Sequence, residues 1–169
     1  YNTGLGFGAL ANNTTASNNT AVGYQAGYSN TTGSPIDAFG YKALYANTGS
    51  YNAAFGNTAM QANTSGTENA AFAFGALQAN TTGSHNAGFG VDVLYANTTG
   101  SYNTAQGEQA LFSNTTASNN TAVGYQAGYS NTTAIQTVAL GFQALYSNST
   151  SNSNVGLKSE EHTSELQSH

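Results

Sequence analysis

The residues able to do chemistry in this chain are few, and they do not converge. His85 is the one histidine before residue 159, and it falls in a Ser-His-Asn turn with no acid at a repeated neighbouring place. Asp37, Glu68, Asp92 and Glu108 fall in different columns of different copies of a sequence repeat. General acid–base work needs unlike groups held within hydrogen-bond reach of one reacting centre, and this scatter offers none. Gly4-Leu5-Gly6-Phe7-Gly8 has glycines but not the Lys-Ser/Thr of a phosphate loop. With no cysteine there is no disulfide framework and no thiolate metal site. The turns carry Thr and Ser where a calcium-binding solenoid needs recurrent Asp. Neither an enzyme, a cofactor nor a metal is expected.

What does recur is neutral. An asparagine column reads Asn13, Asn30, Asn47, Asn63, Asn80, Asn97, Asn114, Asn131 and Asn148. A carboxamide is donor and acceptor at once, so stacked copies can bond along an axis, and Asn tolerates the left-handed backbone of a tight turn. The column therefore reads as a turn-stabilising ladder in preference to a ligand surface. An aromatic column reads Tyr28, Tyr45, Tyr95, Phe112, Tyr129 and Tyr146, with Ala11, Gln61 and Gln78 in the other copies. If it faces outward, it is an apolar stripe that needs a partner chain or serves as a glycan-stacking surface. Paired threonines (Thr14-Thr15, Thr31-Thr32, Thr81-Thr82, Thr98-Thr99, Thr115-Thr116, Thr132-Thr133) suggest an alternative, a monomeric solenoid that binds ice. Against it, consecutive residues of a strand point to opposite faces.

These columns exist because the chain is one 17-residue unit written nine times. Its glycine falls at Gly6, Gly23, Gly40, Gly56, Gly90, Gly107, Gly124 and Gly141, with Ala73 in the remaining place and one step, Gly40 to Gly56, of 16. Asn13–Thr32 recurs unchanged as Asn114–Thr133. Such periods mark stacked units that bury their apolar faces only against their neighbours. The apolar runs are short and bounded by Gly and by Asn-Thr-Thr-Gly, which leaves no room for helices. The expected fold is all-β: a parallel β-solenoid or β-roll over residues 1–157, with about nine coils and two short strands per coil, near Thr20–Gly23 and Gln25–Ser29. In-register stacking at about 4.8 Å per coil makes a rod on the order of 43 Å long. The residue before each glycine (Leu5, Val22, Phe39, Phe55, Phe72, Phe89, Val123, Leu140; Gln106 the exception) is large and apolar and is expected to face inward. The small residue preceding it (Gly4, Ala21, Ala38 and their equivalents) permits close approach of another backbone.

Charged residues make up 5% of the chain, against roughly a quarter in ordinary domains. Nothing basic is present to track nucleic acid or anionic lipid, and no apolar run approaches the roughly 20 residues of a membrane helix. Asn-x-Thr sequons at Asn13, Asn30, Asn80, Asn97, Asn114 and Asn131 read as a by-product of the repeat. Tyr1 stands where Tyr51 and Tyr102 stand in their copies, so the chain is expected to be a fragment of a longer array. Residues 158–169 are expected to be a non-native or disordered tail; Ser159–His169 share no column with the repeats and resemble a translated sequencing adapter.

Asn-Thr-Ala-Val-Gly-Tyr-Gln-Ala, at Asn19–Ala26 and again at Asn120–Ala127, resembles the head repeats of trimeric autotransporter adhesins and related phage tail-fibre repeats. Asn52-Ala53-Ala54-Phe55-Gly56 and Asn103-Thr104-Ala105-Gln106-Gly107 are degenerate forms. The resemblance implies a left-handed β-roll, a homotrimer, and an extracellular place on a bacterial surface or a virion tail fibre. It implies a non-enzymatic structural and adhesive rod that contributes to host or surface attachment, with a cell-surface glycan or protein receptor as partner. The repeat is longer than the roughly 14 residues of autotransporter heads, which favours the phage-fibre branch.

Overall fold

A computed structural model describes residues 1–158; the expected tail from residue 159 onward lies outside the described residues. The chain is a parallel β-solenoid with one strand per coil: β1 (Asn2–Leu5), β2 (Asn19–Val22), β3 (Ile36–Phe39), β4 (Asn52–Phe55), β5 (Ala70–Phe72), β6 (Ala87–Phe89), β7 (Thr104–Gln106), β8 (Thr121–Val123), β9 (Val138–Leu140) and β10 (Val155–Leu157). They form one ten-stranded sheet in chain order. Pairing sets each residue beside its repeat equivalent, as in Ala21↔Ala38 and Phe55↔Phe72. The 16-residue step appears as Ile36↔Asn52. The missing residue is taken out of the turn, where Asn47 Nδ2 donates to the Gly49 carbonyl two residues on at 2.7 Å; elsewhere this bond spans three residues, as from Asn63 to Gly66.

The second expected strand is not a strand. Gln25–Ser29 and its equivalents run as consecutive tight turns, because alternate residues take the left-handed conformation. Gln25 and Gly27 have φ of 53° and 58°, Lys42 and Leu44 have 54° and 51°. The segment still hydrogen-bonds from coil to coil, Gly27 N to the Ala43 carbonyl at 2.9 Å and Ser29 N to that of Tyr45 at 2.9 Å. The left-handed bends have a packing reason. Adjacent Ala43 and Leu44 are both 0% exposed, which the two-sided alternation of a strand forbids.

A second expectation is also reversed. The residue before the glycine points outward, and the small residue preceding it points in. Ala21, Ala38, Ala54, Ala71, Ala105, Ala122 and Ala139 are fully buried, whereas Phe55, Phe89, Val123 and Leu140 are exposed. Strand alternation lets only one of the two columns face the interior. A 17-residue coil encloses so little volume that it accepts the methyl group and leaves the benzyl outside. The core is thus three columns wide: the strand alanines, the Ala26–Ala43–Ala59 column, and Leu44, Met60, Leu77, Leu94 and Leu111. Where Gly27 replaces a leucine, Ile36 of the next coil reaches in, its Cδ1 3.4 Å from where a Gly27 Cβ would stand.

The glycine column stacks backbone on backbone. A Cβ on Gly6, whose φ is +131°, would lie 2.5 Å from the Gly23 carbonyl oxygen. Between Gly6 and Gly141, Ala73 is the one residue with a side chain in this column, and it adopts the same unusual φ, 122°.

Candidate functional site

The recurrent asparagines are enclosed. Asn30, Asn47, Asn63, Asn80, Asn97, Asn114 and Asn131 have no exposed surface; Asn13 and Asn148, near the two ends, are half-buried. Each Nδ2 closes its own turn, as Asn80 does on the Gly83 carbonyl at 2.9 Å. Through the middle of the rod each also donates to the asparagine below, Asn63 to Asn47 at 2.6 Å, Asn80 to Asn63 at 2.7 Å, Asn97 to Asn80 and Asn114 to Asn97 at 2.8 Å. These side chains are structural, and Asn30, Asn80, Asn97, Asn114 and Asn131, being buried, are not presented as glycosylation acceptors.

Sequence reasoning missed a second ladder. Asn19 and Asn52 open their strands, Asn69, Asn86, Asn103 and Asn120 immediately precede theirs, and all six are buried. Their Oδ1 atoms accept the backbone N–H of the equivalent residue one coil on, Asn69 N to Asn52 and Asn86 N to Asn69 at 3.0 and 2.9 Å. The Nδ2 atoms of Asn52, Asn69, Asn86 and Asn103 donate to the turn carbonyl of the next coil, as Asn69 does to Gly83 at 2.9 Å and Asn86 to Gly100 at 2.8 Å; those of Asn19 and Asn120 are buried without a partner. The signal was present, because Asn begins the repeated motif in most copies. Ile36 and Thr137 interrupt it.

The aromatic column lies on the outer side of the turn segment but is half-buried by its own stacking. Tyr28 faces Tyr45 at a centroid distance of 5.2 Å. Tyr95, Phe112, Tyr129 and Tyr146 form a second run at 5.2, 5.1 and 5.0 Å. Offset stacking at these distances is favourable. Between the runs, Gln61 and Gln78 replace the rings, and an open cleft of about 460 Å³ lies there, lined by Tyr45, Ala46, Gln61, Ala62, Gln78, Ala79 and Tyr95.

The larger apolar exposure is elsewhere. Phe39, Phe55, Phe72 and Phe89 stack at 4.7, 4.9 and 5.1 Å along the outside of the sheet. Leu5, Val123, Leu140 and Leu157 continue that column exposed to solvent. On the far side of the glycine column, Phe7, Tyr24, Tyr41, Phe74, Val91, Tyr125 and Phe142 are exposed as well.

The first threonine of most turns spends its hydroxyl on the rod. Thr64, Thr81 and Thr98 donate Oγ1 to the carbonyls of Thr81, Thr98 and Thr115 at 2.9, 2.9 and 3.0 Å. The second threonine column, Thr15, Thr32, Thr82, Thr99, Thr116 and Thr133, is exposed at every position, and within it Thr15 and Thr32 donate to the carbonyls of Thr31 and Thr48 at 3.3 Å.

Of the titratable groups, Glu68 and His85 become neighbours through coil stacking, though not at a repeated place. They hold one corner position in consecutive coils, with Nδ1 and Oε2 3.2 Å apart, and Tyr102 of the coil beyond stacks on the imidazole at 4.7 Å. The pair is exposed and occurs once. Asp92 is raised above the usual carboxylate range, by burial first and by Glu108 beside it second. Asp37 is exposed on β3. Among the described residues no cluster of three or more His, Cys, Asp or Glu side chains could hold a metal ion, and no helix is long and apolar enough to cross a membrane. No protein-family model, curated protein or solved structure matches the chain.

Proposed function

We propose that this chain is a non-enzymatic structural and adhesive rod, a segment of a phage tail fibre or bacterial surface adhesin that contributes to attachment. In it, three copies associate side by side. The observation that carries this reading is the pair of exposed, largely apolar columns on either side of the stacked glycines, interrupted at Gln106 in one and at Asn57 and Glu108 in the other, with Phe55 36%, Phe89 44%, Tyr41 45% and Phe142 45% exposed. Soluble monomers rarely keep so long an apolar stripe in water. The reading places the contact between copies on the Phe39–Phe89 and Tyr24–Phe142 columns. The Tyr28–Tyr146 column already shields itself by stacking and is left free for a receptor. Threonine hydroxyls donated to backbone carbonyls weigh against an ice-binding lattice in their column.

Light scattering on the full chain after gel filtration checks the assembly. Three copies per particle are expected. Phe55→Asp with Phe89→Asp, which places carboxylates on the outer face without touching the core, should weaken association by a factor of roughly ten or more. The far-ultraviolet dichroism of the β-solenoid should not change. A soluble wild-type monomer at micromolar concentration rejects the assembly.

A further inference from the structure

We infer that the cleft between Tyr45 and Tyr95 is a binding site for a short neutral oligosaccharide, with one sugar ring on each tyrosine and its hydroxyls on Gln61 and Gln78. The inference deepens the attachment reading and rests on it, since it names the class of receptor that the rod would hold.

The cleft is a defect in an otherwise continuous stack. Every aromatic of this column that has an aromatic neighbour one coil away covers it at 5.0–5.2 Å. Tyr45 and Tyr95 are where the two runs stop, so each has a ring face with no aromatic on it; the Lys42 Nζ stands 5.5 Å from the Tyr45 centroid. They are three coils apart, about 14 Å at the spacing of parallel strands. After the half-thickness of each ring is removed, the gap holds more than one ring. The cleft volume of about 460 Å³ falls in the range of small-ligand sites.

The chemistry of the floor selects the occupant. Gln78 Nε2 donates to Gln61 Oε1 at 3.3 Å. That bond leaves Gln61 Nε2 and Gln78 Oε1, a donor and an acceptor one coil apart, without a protein partner among the described residues. Ala62 and Ala79 line the cleft beside them and bring no polar side-chain atom. None of the lining residues is charged; Lys42 Nζ, 5.5 Å from the Tyr45 ring centroid, is also held over the Tyr41 ring at 5.4 Å, so the lining itself has nothing to recognise a phosphate, a carboxylate or an ammonium group. A wholly apolar side chain from a second copy would strand the two carboxamides. A pyranose has what the cleft lacks: an apolar C–H face to lie on a tyrosine and hydroxyls that both donate and accept. Two such rings joined by a glycosidic bond could engage both tyrosines at once.

The test is saturation-transfer NMR and titration of the full chain with cellobiose, N,N′-diacetylchitobiose, lactose and maltotriose. At least one probe should bind with millimolar or tighter affinity and show saturation of its ring C–H protons. Tyr45→Ala and Tyr95→Ala should each weaken that probe tenfold or more, while Tyr129→Ala, inside the intact run, should leave it within about twofold. Gln61→Tyr with Gln78→Tyr completes the ladder; it should abolish binding and raise the melting temperature. Binding that survives the filled cleft, or absence of binding for all four probes by a chain shown to be folded by dichroism, overturns the inference. Three copies per particle together with no sugar binding would remove this inference and leave the rod standing. A monomer that binds a probe through Tyr45 and Tyr95 would do the reverse to the assembly.

Discussion

Gly88 and Val93 carry complementary departures from the repeat within one coil. Everywhere else the two columns are alanine facing alanine, or Gly4 facing Ala9 at the start of the rod. Val93 adds two methyl groups to a core with no room for them, and Gly88 opposite gives up its own. A Cβ at Gly88 would lie 2.9 Å from Val93 Cγ1 and 2.8 Å from Leu77 Cδ1, closer than carbon atoms pack. Gly88→Ala should therefore destabilise the rod by about 1–3 kcal/mol, the usual range for overpacking. Gly88→Ala with Val93→Ala restores the arrangement of the other coils and should recover most of the loss. Denaturant titration of the two single variants and the double variant gives the coupling. Additive losses, with no recovery in the double variant, would show that the two sites do not share space.

Each element holds its shape through side-chain amides as much as through the short strands, and the two ladders meet in the same turn. Asn52 Nδ2 bonds both Asn47 Oδ1 at 3.0 Å and the Gly66 carbonyl at 2.7 Å. Asn80 sits mid-rod, donating to Asn63 and Gly83 and accepting from Asn97. Truncation to alanine strands buried partners on both sides, so Asn80→Ala should cost roughly 3 kcal/mol, from one to three per orphaned group. Asn80→Asp keeps the shape and loses the donor. Its carboxylate would face the Asn63 Oδ1 and the Gly83 carbonyl, so its pKa in the folded state must rise above the unfolded value of about 3.9. Its cost is then small below that pH, where both states are protonated, and grows as pH rises through the folded-state pKa. Melting temperature against pH for the two variants checks this. An Asn80→Asp profile no steeper than that of Asn80→Ala would mean the column is solvated. Much of this level was legible in the sequence: the coil period, the parallel register and the Asn13–Asn148 column follow from composition at fixed spacing. Two features were not. Nothing in Gln25 or Leu44 marks a left-handed residue, because the conformation is imposed by the need to turn Ala43 and Leu44 inward together. The outward direction of the Phe55 column is not legible either, because large apolar residues ordinarily mark a core. The bore of the coil, a tertiary property, admits only the alanines.

At the scale of the whole rod, each coil touches only the coils next to it, as the strand order β1 to β10 in one sheet shows. Stability should then be close to a sum of coil and interface terms, and removal of one whole coil should leave the rest as they were. Deleting residues 57–73 joins Gly56 to Phe74, keeps a glycine in the stacked column and discards Ala73, the one side chain in that column between Gly6 and Gly141. The asparagine, alanine and leucine columns close over the cut in register. This shortened chain should fold, with a denaturant m-value lower by about one tenth, in proportion to the surface removed. Deleting residues 57–65 instead joins Gly56 to Gly66. That cut brings turn residues where the alanine and leucine columns belong and should leave the chain largely unfolded, because a register error exposes the core of that coil and uncouples its neighbours. Equal stability of the two deletions would mean that the chain is held by something other than coil-on-coil stacking. The in-register deletion also removes Gln61 and brings Tyr45 within two coils of Tyr95, which halves the number of missing rings. If the columns alone set the cleft, that chain should keep its fold while binding to the larger saccharide probes falls off first.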